Sequence, residues 1–171
     1  MKNKAVFLDR DGVLNEEVGD YIMRFEDFKI LPHVAKGLVD LHRAGYLLIV
    51  ITNQGGLAKQ LYTEETLAKM HQYMSDELLK AGVFFTDIYF CAHHPVKGNC
   101  LCRKPGSLLV EKALSKHNID PLQSYFIGDK IRDIMCGQAV EVKGILIEPN
   151  EDWSIYATQI SEGSYIGPTK I

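Results

Sequence analysis

Apolar positions along the chain follow two different periods. Short unbroken runs rich in β-branched and aromatic residues occur at Ala5–Leu8, Tyr46–Ile51, Ile88–Phe90, Tyr125–Ile127 and Gly144–Ile147. Such runs predict buried parallel strands. Between them the spacing turns helical. One helix is predicted from Val34 to Ala44, stopped by Gly45, and another opens at Thr63 with Glu64 and Glu65 in its first turn and runs to about Ala81. Two more are predicted, from Ser107 to His117 and from Arg132 to about Val140. Alternating strands and helices define an α/β fold built on a Rossmann-like parallel sheet with helices on both faces. The stretch from Asn150 onward has weak periodicity and no predicted element.

Three polar residues close three of these runs. Asp9, Thr52 and Asp129 each directly follow an apolar strand segment. In an open α/β sheet the ligand crevice lies at the carboxyl ends of the strands, so these groups are expected to converge. Asp9-Arg10-Asp11-Gly12 offers two carboxylates on a turn, one to attack phosphorus and one to move protons. Thr52-Asn53-Gln54-Gly55-Gly56 offers a hydroxyl and a glycine-rich turn whose N–H groups can bind phosphate. Cys102-Arg103-Lys104-Pro105 brings a compact ammonium and a forked guanidinium. Gly128-Asp129-Lys130-Ile131-Arg132-Asp133 adds carboxylates, and clustered carboxylates call for a hard cation such as Mg²⁺.

Length and composition narrow the setting. A chain of 171 residues suits a single domain spanning 1–171. The net charge of −3 gives no basic surface for nucleic acid. No apolar run reaches membrane-spanning length, and the start lacks the apolar segment of a signal peptide, so a cytoplasmic protein is expected. A monomer is the expected state.

In order and spacing, Asp-x-Asp, Thr after a strand, Lys and Gly-Asp-x-x-x-Asp together resemble the haloacid dehalogenase superfamily of phosphatases, over roughly residues 4 to 148. That resemblance implies Asp9 as nucleophile and Asp11 as general acid and base, with Thr52 and Lys104 holding the transferred phosphoryl group. It implies Mg²⁺ on the Asp9 side chain, the Asp11 carbonyl and the Asp129 side chain, with Asp133 supporting them. No long insertion follows Asn15, so no large cap domain is expected, and the cleft should be open to an extended small phosphorylated metabolite.

The cysteines carry a second metal reading. Cys91, His93, His94, Cys100 and Cys102 lie within one short stretch. Three thiolates and one imidazole make a closed, structural zinc site, with either His93 or His94 as the nitrogen ligand. Cys136 stands apart and reads as a buried core residue. Together with Asp-Arg-Asp-Gly, Thr-Asn-Gln and Cys-Arg-Lys-Pro, the loop is similar to the group containing the D-glycero-D-manno-heptose 1,7-bisphosphate phosphatases and the histidinol-phosphate phosphatases. The Cys-x-His pattern of that group favours His93. His93-His94-Pro95, Gly128-Asp129-Lys130 and the stretch from Gly19 to Pro32 lean towards the heptose enzymes. The short Gly98-Asn99 turn and Gly55, where the heptose enzymes usually carry Ser, lean away. The resemblance implies substrate contacts at Arg10, Gly19, Tyr21, Asn53, Gln54, Arg103 and Lys130.

A heptose-bisphosphate 7-phosphatase is therefore expected, with a histidinol-phosphate phosphatase as the alternative. A polynucleotide 3′-phosphatase fits the negative charge poorly. A non-enzymatic phosphate-accepting or zinc-braced binding domain is disfavoured by Asp11, since a second positioned carboxylate would hasten hydrolysis of an aspartyl-phosphate.

Overall fold

In the computed structural model, which describes residues 2–167, five parallel strands run in the order β3-β2-β1-β4-β5. They are β1 (Lys4–Leu8), β2 (Tyr46–Asn53), β3 (Asp87–Cys91), β4 (Tyr125–Gly128) and β5 (Lys143–Leu146). The predicted single-domain span of 1–171 includes residues 1 and 168–171, which lie outside the described residues. The helices are α1 (Val34–Arg43), α2 (Glu64–Leu79), α3 (Leu108–Lys116), α4 (Ile131–Gln138) and α5 (Ser154–Ser161). Thr63 caps α2 by accepting from the Thr66 N–H at 3.2 Å.

Both faces of the sheet are covered. Leu38 and Leu41 of α1, Met70 and Met74 of α2, and Ala157 and Ile160 of α5 pack with Val6, Leu48 and Val50 on one face. Leu109, Val110 and Ala113 of α3 and Cys136 of α4 pack with Phe7, Ile49 and Phe126 on the other. This is the two-sided burial that unbroken apolar strands require. Cys136 is buried as expected, and its thiol donates to the Gly106 carbonyl at 3.2 Å.

Three features differ from the sequence reading. β3 is an edge strand, and Phe90 is 39% exposed, so this run is not buried on both faces. β2 extends to Asn53, which places Thr52 inside the strand rather than after it. Residues beyond Asn150 form α5, which packs against α1. Trp153 just before α5 is fully buried, and its indole N–H donates to the Val13 carbonyl at 2.7 Å. A Cβ on Gly37 of α1 would lie 2.6 Å from the Trp153 ring, so only glycine lets the two elements approach this closely.

Candidate active site

The turn after β1 is wound by its own backbone. The Arg10 carbonyl accepts from the Leu14 and Asn15 N–H groups at 2.8 and 3.1 Å, and Gly12 N–H donates to Asn15 O at 2.8 Å. Gly12 has φ +81°, and a Cβ there would stand 2.8 Å from Asp129 Oδ2. Glycine is therefore required twice over, by backbone angle and by the approach of the second carboxylate.

Asp9, Thr52 and Asp129 do converge. With Asp11 they line one cleft of about 260 Å³, joined by Arg10, Gly19, Tyr21, Asn53, Gln54 and Arg103. Beneath it lies Lys104, whose side chain is fully buried and whose ammonium meets Asp9 Oδ1 and Asp133 Oδ1 at 2.8 Å each. It also donates to the Ile51 carbonyl at 2.7 Å. The Asn53 amide fixes this lysine's backbone, donating to Lys104 O at 3.2 Å and accepting from Lys104 N at 3.0 Å. Burial works against the Lys104 charge, but Asp9 and Asp133 outweigh it and raise its pKa, so it is an ammonium. Burial pushes the Asp9 carboxyl up to about 7, with Lys104 opposing and Asp133 and Asp11 adding to the rise. A further cation is what would hold Asp9 as an anion at neutral pH.

The carboxylates offer a place for such a cation. One oxygen from each of Asp9, Asp129 and Asp133 lies within 4.8 Å of the others, all buried. Asp129 Oδ2 is buried and forms an ion pair with the Lys130 ammonium at 2.8 Å. Three buried carboxylates this close together fit a hard, oxygen-seeking ion such as Mg²⁺. Asp133 is more committed: its Oδ2 accepts from the Lys130 N–H at 3.0 Å and closes the first turn of α4.

Asp11 sits in a cage of donors. Its Oδ1 accepts from Arg10 at 2.6 and 3.1 Å and from Asn15 at 3.0 Å, and its Oδ2 accepts from Gln54 at 3.0 Å. Burial would raise its pKa, but Arg10, Asn15 and Gln54 together hold it below the usual carboxylate range. Gln54 also donates to Thr52 Oγ1 at 2.9 Å, and its own oxygen accepts from Tyr62 OH at 2.6 Å. Arg10 itself is almost wholly buried, resting over the Phe28 ring at 5.3 Å. Its other guanidinium nitrogen lies 3.4 Å from His71 Nε2. Burial, reinforced by Arg10, pushes His71 down to about 4, so the ring is neutral and Nε2 accepts.

Next to this cleft the three thiols and one imidazole of the loop after β3 form a compact cluster. Cys91 Sγ lies 3.6 Å from Cys100 Sγ and 3.3 Å from Cys102 Sγ, and those two are 3.6 Å apart. His93 Nδ1 is 3.6 Å from Cys91 Sγ and 3.2 Å from Cys102 Sγ. Sulfurs tetrahedrally placed about 2.3 Å from one zinc ion lie ~3.8 Å apart, so the spacing of these thiols is close to what a metal ion such as Zn²⁺ would need. His94 points elsewhere, its Nδ1 accepting from the Val96 N–H at 3.2 Å. Arg103 donates to the His93 carbonyl at 3.0 Å, which ties the cluster to the cleft wall.

Comparison with known proteins places this geometry. A D-glycero-β-D-manno-heptose-1,7-bisphosphate 7-phosphatase from Haemophilus ducreyi is 39% identical over 149 residues, covering 84% of this chain and 81% of that protein. The chain belongs to the haloacid dehalogenase-like phosphatases. Like them it is a phosphoric monoester hydrolase. A D-glycero-α-D-manno-heptose-1,7-bisphosphate 7-phosphatase from Photorhabdus laumondii is 38% identical, covering 80% of this chain and 78% of its own. A family model described as HAD-hydrolase-like matches residues 101–152. Among solved structures, a D,D-heptose 1,7-bisphosphate phosphatase from B. bronchiseptica complexed with magnesium and phosphate superposes with a TM-score of 0.83 at 25% identity, covering 94% of this chain and 97% of that one.

Several residues of this phosphatase's site carried no signal in the sequence. Asn15, Tyr62 and His71 build the donor cage and the Arg10 support, yet Tyr62 and His71 sit in ordinary loop and helix contexts. Only the proximity of Asn15 to Asp11 could have flagged any of them. Glu17 and Arg132 also line the cleft. Lys130, expected at the substrate, instead faces Asp129 from just outside the cleft lining.

The cysteine cluster is directly testable. Protein purified without chelator should contain about one zinc per chain by elemental analysis, and Cys100→Ser should lower zinc content together with phosphatase activity. Without a metal the loop that carries Arg103 would lose its brace, and a displacement of ~1 Å of a phosphate-binding group costs about 10²-fold. A zinc-free preparation of normal stability and activity would count against the assignment.

Proposed function

We propose that this enzyme is a Mg²⁺-dependent D-glycero-D-manno-heptose 1,7-bisphosphate 7-phosphatase acting through an aspartyl-phosphate on Asp9. The single observation that carries the reading is the pairing of buried Asp9 with Lys104 and Asp129 in a chain whose relatives, over four-fifths of its length, are named for that reaction. One Asp9 oxygen attacks the phosphorus of the 7-phosphate. The P–O7 bond breaks, and the leaving oxygen takes a proton from Asp11. Asp11 is held ionised by Arg10 before substrate arrives. The incoming phosphate dianion raises its proton affinity through like-charge repulsion, and Asp11 takes up a proton from solvent before it donates to the leaving oxygen. Asp11 then takes a proton from water as the water oxygen attacks phosphorus, releasing phosphate and restoring the Asp9 carboxylate.

Thr52 and Lys104 hold the phosphoryl oxygens, and Lys104 offsets their charge. Mg²⁺, held by Asp9, the Asp11 carbonyl and Asp129, supplies charge neutralisation at the phosphoryl group when bound. Gly19, Tyr21, Asn53, Gln54 and Arg103 shape the rest of the substrate site, with Arg10 behind it on Asp11 and Lys130 beside it on Asp129. Zn²⁺ on Cys91, His93, Cys100 and Cys102 is structural, since four protein ligands leave no open position. The reading includes one domain spanning 1–171, a monomeric state, a cytoplasmic location and a place in carbohydrate metabolism. Among the described residues no helix is long and apolar enough to cross a membrane.

A phosphate-release screen tests the proposal. Both anomers of the heptose bisphosphate, sugar monophosphates and histidinol phosphate are compared, each with Mg²⁺ and with EDTA. The heptose bisphosphate should lead by at least ~10-fold in kcat/KM, about 1.4 kcal/mol of differential transition-state binding. EDTA should abolish release, and added Mg²⁺ should restore it. Histidinol phosphate as the best substrate would replace the proposed function.

A further inference from the structure

We infer that Asn150 is a positioning residue, whose side-chain amide clamps the Glu17 peptide and holds the loop around Glu17 and Gly19 in the shape that receives the substrate beyond its phosphoryl group. The inference rests on the reading above that this loop contacts the sugar.

The clamp is a paired amide contact. Asn150 Oδ1 accepts from the Glu17 N–H at 2.7 Å, and Asn150 Nδ2 donates to the Glu17 carbonyl at 3.1 Å, across 133 residues of sequence. Both hydrogen-bonding groups of the side chain go to one residue, an arrangement that fixes orientation as well as distance. The backbone of Asn150 makes a third link, its N–H donating to the Gly12 carbonyl at 2.9 Å. Asn150 therefore bridges the turn that carries Asp11 and the loop at the cleft entrance. Its φ of +66° is a left-handed conformation that asparagine tolerates better than most residues.

The loop's other holds leave this side to Asn150. Glu16 N–H donates to the Lys29 carbonyl at 2.8 Å, fixing the loop where it leaves the turn. Glu17 Oε1 then accepts from Gly19 N–H at 2.7 Å, folding the loop back on itself. Glu17, Gly19 and Tyr21 all line the cleft. Without the amide clamp the Glu17 peptide loses both partners on its outer side, and the lining it presents is no longer fixed. Asp9, Thr52 and Lys104, by contrast, are held by the strands and by one another.

Asn150→Gly isolates the side chain, because glycine keeps the positive φ and the N–H to Gly12. kcat and KM are measured for the heptose bisphosphate and for acetyl phosphate, which has little beyond its phosphoryl group, alongside the thermal midpoint. KM for the bisphosphate should rise about 10-fold with kcat within about twofold, the pattern of lost substrate positioning. Acetyl phosphate turnover should stay unchanged. An equal loss on both substrates, as lowered stability alone would give, overturns the inference, and so does an unchanged KM for the bisphosphate. If wild-type enzyme fails to hydrolyse the heptose bisphosphate, the proposed function falls. The same split is then read on the best sugar phosphate from the screen, where it decides the clamp independently.

Discussion

Replacing Asp9 by asparagine should abolish turnover and leave the fold in place. The amide keeps the shape of the carboxylate and can still accept from Lys104, which now stands 2.8 Å from Asp9 Oδ1. What it cannot do is form an acyl-phosphate, because an amide is a far weaker nucleophile. Loss of a covalent nucleophile costs about 10⁴–10⁶-fold when the rest of the site is intact. Steady-state phosphate release should fall at least that far, and radiolabelled substrate should leave no phosphate on the protein after acid quench. The thermal midpoint should move little, since one buried charge is removed from a site where burial already works against it. Retention of a tenth of the wild-type rate would remove Asp9 from the centre of the mechanism.

Lys104→Met should damage both stability and catalysis. Methionine matches the apolar stem, which lies beneath the sheet end with the ammonium 5.5 Å from the Phe126 ring. It leaves Asp9 and Asp133 as buried carboxylates without their shared cation, and Ile51 O without its donor. Breaking a buried pair by removing one partner costs about 3–5 kcal/mol, readable as a lower midpoint in urea. Activity should fall a further ~10²–10³-fold, the usual cost of removing one group that stabilises transition-state charge. The double variant Lys104→Met/Asp133→Asn separates the two effects. It removes one stranded charge and should recover part of the stability, while activity stays low. Recovery of activity in the double variant would mean that Lys104 serves the fold alone.

Much of this architecture was legible because parallel strands buried on both faces leave unbroken apolar runs, and each functional carboxylate or hydroxyl stands where a run stops. Asp9 and Asp129 follow their strands directly, as the pattern implied. Thr52 proved to lie within β2, since pairing with β3 carries the strand on to Asn53 beyond its apolar stretch. The cysteine spacing likewise anticipated a four-ligand cluster, and the geometry agrees with the Cys-x-His pattern in taking His93 rather than His94. α5 escaped because it buries only Ala157 and Ile160 through its own length, too little to mark a face. The Arg10 orientation escaped for another reason. A guanidinium beside two aspartates reads as a substrate ligand, and nothing local reveals that Phe28 and His71 arrive to enclose it.

The Trp153 contact sets an order of events during synthesis. The ribosome makes the Asp9–Asn15 turn well before the indole that hydrogen-bonds Val13 O, which follows Val13 by 140 residues. Domains of this kind fold as their last segments emerge, and distant pairings form late because closing a long loop is slow. The growing chain therefore carries its reactive carboxylates before the indole that braces their turn is made. A chain that stops short of Trp153 keeps Asp9 and Asp11 in its sequence yet lacks the indole that holds the Val13 carbonyl of their turn.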